Sequence, residues 1–129
     1  MYFDIKDLVE FYSDTSLGKH TASSLSKTLN HLFKCGKGEM ILGYGFTIPL
    51  LEPYLERFEK AVSLMPGLQG AINWPKSSNN LSILVDEAFW PVDTESVDTV
   101  LILHGLENSL NPNVLMSEAW RVLKPNGTL

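Results

Sequence analysis

Short apolar runs alternate with segments of helical period along most of this chain. That alternation predicts an α/β fold, a parallel sheet flanked by helices and joined by right-handed crossovers. Three observations carry the prediction. Met40-Ile41-Leu42, Leu81-Ser82-Ile83-Leu84-Val85 and Val97-Asp98-Thr99-Val100-Leu101-Ile102-Leu103 have the length and β-branched content of buried strands. Each run ends in glycine or polar turn residues: Gly43-Tyr44-Gly45, Asp86-Glu87 and His104-Gly105. Between the runs, apolar residues return at intervals of three and four.

The elements follow in order. Leu8, Phe11 and Tyr12 put a helix over residues 4–13, and Ser13-Asp14-Thr15-Ser16-Leu17-Gly18 breaks it. A second helix carries Leu25, Leu29, Leu32 and Phe33 on one face, closed by Gly36-Lys37-Gly38. Residues 1–38 thus form a helical cover, and the texture changes at Glu39. After the first strand and its Gly43-Tyr44-Gly45 turn, Leu50, Leu51, Tyr54, Leu55, Phe58, Val62 and Met65 predict a helix. Pro49 suits its first turn, whereas Pro53 makes that turn irregular or delays the start to Glu52. Leu68-Gln69-Gly70-Ala71-Ile72-Asn73-Trp74 is expected as the second strand, 81–85 as the third and 97–103 as the fourth. Asn111-Pro112 starts a helix that buries Leu115, Ala119, Val122 and Leu123 before Lys124-Pro125-Asn126-Gly127 stops it. Thr128-Leu129 would open a fifth strand. Trp74, Trp90 and Trp120 are expected to pack, with Trp90 beside Pro91 also placed to wall a pocket.

A chain of 129 residues corresponds to about one domain. Ten Lys and Arg against 15 Asp and Glu leave a net charge of −5, which argues against non-specific nucleic-acid binding. With 44% hydrophobic and 19% charged residues the composition is globular and excludes a disordered tail. The single Cys35 cannot close an internal disulfide and fits a reducing cytoplasm. The opening residues show no basic region ahead of an apolar core, so no secretory signal is expected. No apolar stretch approaches the ~18 residues of a membrane span. His20 and His31 stand without Cys, Asp or Glu at ligand spacing, so no metal site is expected.

Ligands of open parallel sheets bind beyond the carboxyl ends of the strands. Three features fall there: Gly43-Tyr44-Gly45-Phe46-Thr47, where missing Cβ atoms admit a ligand to the backbone; Asp86-Glu87; and His104-Gly105-Leu106-Glu107-Asn108. Each also has a structural reading, as a packing turn, a solvated acidic pair, and a strand cap that prepares the next helix. The turn is not a dinucleotide fingerprint, because Thr47 and Ile48 stand where that pattern requires glycine.

Glu39-Met40-Ile41-Leu42-Gly43-Tyr44-Gly45, Asp86-Glu87-Ala88-Phe89-Trp90-Pro91, Ser96-Val97-Asp98-Thr99-Val100-Leu101-Ile102-Leu103-His104-Gly105-Leu106-Glu107 and Glu118-Ala119-Trp120-Arg121-Val122-Leu123-Lys124-Pro125-Asn126-Gly127, in that order, resemble class I S-adenosylmethionine-dependent methyltransferases. The last segment is the most specific. The resemblance covers residues 39–129 and implies a Rossmann-like sheet and S-adenosylmethionine as cofactor. It also implies methyl transfer to an unidentified small-molecule acceptor. On this reading Gly43 and Gly45, with Tyr44 between them, lie against the amino-acid part of the cofactor. Asp86 and Glu87 lie near the adenine, and His104 to Glu107 line the place where donor meets acceptor. Glu107 or His104 is then the general base when the acceptor must lose a proton. Asn73-Trp74 stands where a carboxylate commonly holds the ribose hydroxyls, leaving Asn73 as a weaker partner. The same resemblance implies an incomplete domain that stops at the start of its fifth strand. The bare edge of the fourth strand would then favour self-association or segment exchange. The competing expectation is a non-catalytic binding or assembly module derived from such an enzyme. A nicotinamide-dependent oxidoreductase ranks third.

Overall fold

The computed structural model describes residues 4–32, 39–76 and 79–129; Phe33, Cys35 and the Gly36-Lys37-Gly38 stop lie outside the described residues. Five strands form one parallel sheet: β1 (Met40–Gly45), β2 (Lys60–Pro66), β3 (Ser82–Val85), β4 (Val97–Leu103) and β5 (Leu123–Thr128), in the order β3-β2-β1-β4-β5. The fold is therefore the α/β parallel sheet that the alternation predicted, in the Rossmann-like form that the resemblance implied. Successive side chains of β1 leave on opposite faces. Ile41 joins Leu51, Tyr54, Phe58, Ala61 and Trp74 in one core, while Leu42 and Tyr44 join Leu64, Val100, Leu115, Ala119 and Val122 in the other.

At the N-terminus α1 (Ile5–Asp14) is capped by the Asp4 carboxylate, which accepts from the Lys6 N–H at 2.8 Å. Its apolar stripe of Ile5, Leu8 and Tyr12 forms a third, smaller core with Phe46. The break read at 13–18 is confined to Thr15, because α2 (Ser16–Leu32) starts at once. The Thr15 hydroxyl accepts from the Gly18 N–H at 2.9 Å and caps the new helix. A Cβ on Gly18 would collide with the Phe11 carbonyl, so only glycine lets the two helices meet there. The apolar face expected of α2 is incompletely covered: Leu25 and Leu29 are half-buried and Leu32 is exposed.

The second strand is the main correction. β2 occupies 60–66, inside the segment whose spacing predicted a helix, and 68–74 is loop. The helical spacing survives only in α3 (Ile48–Leu51) and a 3-10 turn at Glu52–Tyr54. Ala61 to Met65 are all buried, because β2 lies between β1 and β3 with both faces covered. A strand of that kind is continuously apolar and cannot be told from a buried helix by period alone. The third and fourth strands and the helix α4 (Pro112–Val122) lie where expected, with Asn111 capping α4 through Val114 N–H.

The fifth strand starts earlier than Thr128, since the backbone turns extended at Leu123 directly after α4. It pairs with β4 at Val97↔Leu123 and Thr99↔Thr128, with a register break between. Pro125 has no N–H to give the ladder and Asn126 sits in the left-handed region (φ 69°), which accounts for the break. The edge expected on β4 is consequently covered by β5. Trp120 does not pack either: it is 82% exposed, one residue round the helix from the buried Ala119. Among the described residues no helix is long and apolar enough to cross a membrane.

The Glu-Ala-Trp-Arg segment of α4 has a mechanical role. Glu118 pairs with Arg121 at 2.7 Å and accepts from the Trp90 N–H at 2.8 Å. Arg121 donates to the carbonyls of Trp90 and Val92 at 3.0 and 2.9 Å. The pair clamps the loop between β3 and β4, and the hydrogen bond from Arg121 holds the Glu118 carboxyl below the usual range. Glu118→Gln is expected to lower unfolding free energy at neutral pH by about 1–3 kcal/mol in urea titrations. The folded carboxyl titrates below its unfolded value, so the deficit is complete above that value and shrinks as pH falls through the folded one. An equal deficit at neutral and acid pH would contradict the clamp.

Candidate functional site

A parallel sheet brings every strand's carboxyl end to one edge, and here the ends of β1 and β4 touch. Gly45 pairs with Leu103 across the sheet and adopts φ 94°. Phe46 N–H donates to the Leu103 carbonyl at 2.8 Å, and a Cβ on Gly45 would collide with that same carbonyl. Gly43 faces the other way, where a Cβ would collide with Thr47 Oγ1 and come within 2.8 Å of Leu51 Cδ1. The two glycines thus serve close packing, one strand on strand and the other strand beneath α3. Neither lines the cavity at this edge.

That cavity has a volume of about 270 Å³ and lies over the ends of β2, β3 and β4. Its apolar wall is made by Tyr44, Pro66, Leu68, Val85 and Leu110. The Tyr44 ring is fixed from behind by Trp90, stacked with centroids 5.0 Å apart. Gly105 leaves room for that ring, since a Cβ there would stand 2.6 Å from Tyr44 Cδ1. Burial, with the charges of Glu87 and Asp86 adding, pushes the Tyr44 phenol well above its ordinary range, so it stays protonated.

Two amides complete the cavity. Gln69 donates from Nε2 to the His104 carbonyl at 2.8 Å, and Asn108 donates from Nδ2 to the same oxygen at 3.3 Å. A carbonyl only accepts, so these bonds orient both amides and leave Gln69 Oε1 and Asn108 Oδ1 as the remaining acceptors. Both oxygens are buried and neither has a hydrogen-bond partner. Buried acceptors without donors are costly, and a ligand bearing N–H or O–H groups would relieve that cost.

The carboxylates divide their work. Glu87 accepts from Ser109 Oγ at 2.6 Å and from Asn111 N–H at 2.8 Å, which clasps the loop after β4 to the end of β3. Asp86 accepts from Ala88 N–H at 2.8 Å with one oxygen, and it remains on the cavity rim. His104 sits in the left-handed region (φ 55°), a conformation uncommon for residues other than glycine and one that often marks function. Its Nδ1 lies 2.9 Å from Glu107 Oε1 and its Nε2 lies 2.7 Å from the Tyr12 hydroxyl. Burial chiefly, with the Glu107 charge adding, pushes the Tyr12 phenol upward.

The cavity gathers Tyr44, Asp86, Glu87 and His104, with Glu107 hydrogen-bonded behind His104. Asn73, expected in the second strand, lies beyond β2's end, in a separate groove with Val9 and Tyr12. The residues at the end of β2 are Pro66 and Gly67, so Asn73 does not stand where a strand end would offer it to a ribose. Sequence reasoning missed Gln69 and Tyr12. Gln69 was placed inside a strand, and Tyr12 read as one more apolar residue on a helix face. Among the described residues no group of three or more His, Cys, Asp or Glu could hold a metal ion.

A family model described as "Methyltransferase domain" matches residues 42–129, more than half of the chain. No curated protein matches it.

The strand-end glycine offers a direct stability test. Gly45→Ala is expected to cost at least about 1–3 kcal/mol from the left-handed backbone alone, before its collision with Leu103 is counted. Gly67→Ala, whose Cβ would meet only the Val85 carbonyl at 3.7 Å, is expected to stay within about 0.5 kcal/mol. Urea midpoints compare the two.

Proposed function

Because the chain belongs to the methyltransferase-domain family, we propose that it binds S-adenosylmethionine in the strand-end cavity and transfers its methyl group to a small-molecule acceptor. One observation carries the reading: the cavity couples an apolar wall to two buried acceptor oxygens, Gln69 Oε1 and Asn108 Oδ1, that have no donor. The cofactor's amine and hydroxyl groups are donors of the kind those oxygens require, and its purine suits the wall of Leu68, Val85 and Leu110. When bound, the cofactor supplies a methyl group made electrophilic by a sulfonium centre.

The protein's part is positional. Tyr44, held by Trp90, sets the wall; Glu87 holds the loop that carries Asn108; Asp86 offers a carboxylate at the rim. Proximity and alignment supply most of the rate in a displacement of this kind. His104, backed by Glu107, is the base at hand when the acceptor carries a proton. The lone cysteine suits a reducing cytoplasm as the place of action.

A second reading is favoured by the end of β2, where Pro66 and Gly67 stand and no carboxylate is present to hold ribose hydroxyls. On that reading the chain is a binding or assembly module without catalysis.

Calorimetric titration with S-adenosylhomocysteine, using NAD as control, separates the two. Saturable binding of the first alone is expected, and Gln69→Leu should weaken it by up to about tenfold, the worth of one hydrogen bond. A folded sample that binds neither compound would leave the second reading standing.

A further inference from the structure

The hydrogen-bonded chain at His104 runs beyond the matched family segment, because its third member comes from α1. We propose that Tyr12, His104 and Glu107 form a proton relay, and that the acceptor is an apolar molecule with a hydroxyl group, deprotonated at the Tyr12 oxygen. The proposal rests on the methyl-transfer reading and names the acceptor class for the same site.

Direction follows from the partners. An ionised Glu107 carboxylate can only accept, so the proton on the imidazole resides at Nδ1, 2.9 Å away. Nε2 then carries the lone pair and the Tyr12 hydroxyl donates to it across 2.7 Å. His104 is held for this in a strained left-handed backbone, with its carbonyl anchored by Gln69. His104 lines the strand-end cavity, whereas Tyr12 lines the neighbouring groove of about 320 Å³. Their hydrogen bond thus spans from the lining of one space to the lining of the other. The groove is walled by Val9, Phe46, Ile48, Ile72 and Trp74, a lining suited to an apolar body. Glu52 and Lys76 are the charged groups at the groove, and Trp74 Nε1 already engages Glu52 at 2.8 Å.

The step balances as follows. The acceptor's O–H bond breaks and its proton passes to the Tyr12 oxygen while the phenol's own proton moves to His104 Nε2. The imidazolium so formed is paired by Glu107. The freed pair on the acceptor oxygen makes the new O–C bond, and the pair of the broken C–S bond leaves with sulfur. The imidazolium returns its proton to water through the same chain.

The test uses the full chain as wild type and Tyr12→Phe, a variant that keeps the ring in its place against Phe46 and removes only the hydroxyl. The probe acceptors are phenol and 4-nitrophenol, with radiolabelled S-adenosylmethionine, at mildly alkaline pH where only the second is largely ionised. Tyr12→Phe is expected to slow methylation of phenol on the order of 100-fold, the usual worth of a positioned base, and to slow 4-nitrophenol far less. Equal slowing of both, or of neither, overturns the relay. Nitrogen NMR of the His104 ring gives a readout apart from turnover. The expected result is the Nδ1–H tautomer in wild type, with the Nε2 resonance displaced in Tyr12→Phe. An Nε2–H tautomer, or an Nε2 resonance indifferent to the substitution, overturns it as well. Wild-type protein that binds S-adenosylhomocysteine yet methylates neither phenol refutes the acceptor class and leaves the cofactor reading intact. Failure to bind the nucleoside removes both together.

Discussion

β1 has no face toward water, and the rest of the structure is arranged around that fact. It is paired on both edges, by β2 and β4, and its side chains feed two separate cores. A strand so enclosed must end without bulk where its neighbours converge, which is why Gly45 lies against the Leu103 carbonyl in a conformation closed to other residues at ordinary cost. That contact fixes the spacing of the β1 and β4 ends. The position of His104 follows from it, one residue beyond the Leu103 that Gly45 touches.

The carboxylates near the site act first as fasteners. Glu118 and Arg121 clamp the loop that delivers Trp90 to the back of Tyr44, and Glu87 clasps the loop that carries Asn108 and Ser109. Both fastenings are charge-assisted, stronger than neutral hydrogen bonds and more exacting in geometry. They leave the cavity with a stiff apolar wall and a small set of oriented polar groups. Precise placement of this kind is what a displacement reaction needs from a protein, since most of its acceleration comes from alignment.

The N-terminal helices are part of the same arrangement. α1 is bound to the β2 loop through the Ile5 N–H and the Gln69 carbonyl, 2.8 Å apart, while Gln69 reaches on to His104. Tyr12 meets His104 from the other side. One helix thus touches two strand ends, and the segment expected only to cover the domain also supplies a polar group at the carboxyl edge of the sheet.

Fold class, the third and fourth strands, the last helix and its cap were legible in the sequence, because each rests on a local signal. β-branched runs mark buried strands, and Asn-Pro marks a helix start. The positions of Asp86, Glu87 and His104 at strand ends followed from the same signals. The second strand was not legible: Phe58, Val62 and Met65 satisfy a helical period, and only enclosure between β1 and β3 decides that Val62 and Met65 are extended. That one displacement left Asn73 away from any strand end, in the groove beside Tyr12, and put Gln69 in the lining of the strand-end cavity. Likewise a glycine looks the same in sequence whether it admits a ligand or a neighbouring carbonyl; the segment read as a turn at Gly43-Tyr44-Gly45 is the end of β1, and only the packed sheet decided for the carbonyl at Gly45. Local chemistry determined which elements exist. The assembled sheet decided which side chains meet, because Tyr12 and His104 stand 92 positions apart and share a hydrogen bond only when α1 lies across the strand ends.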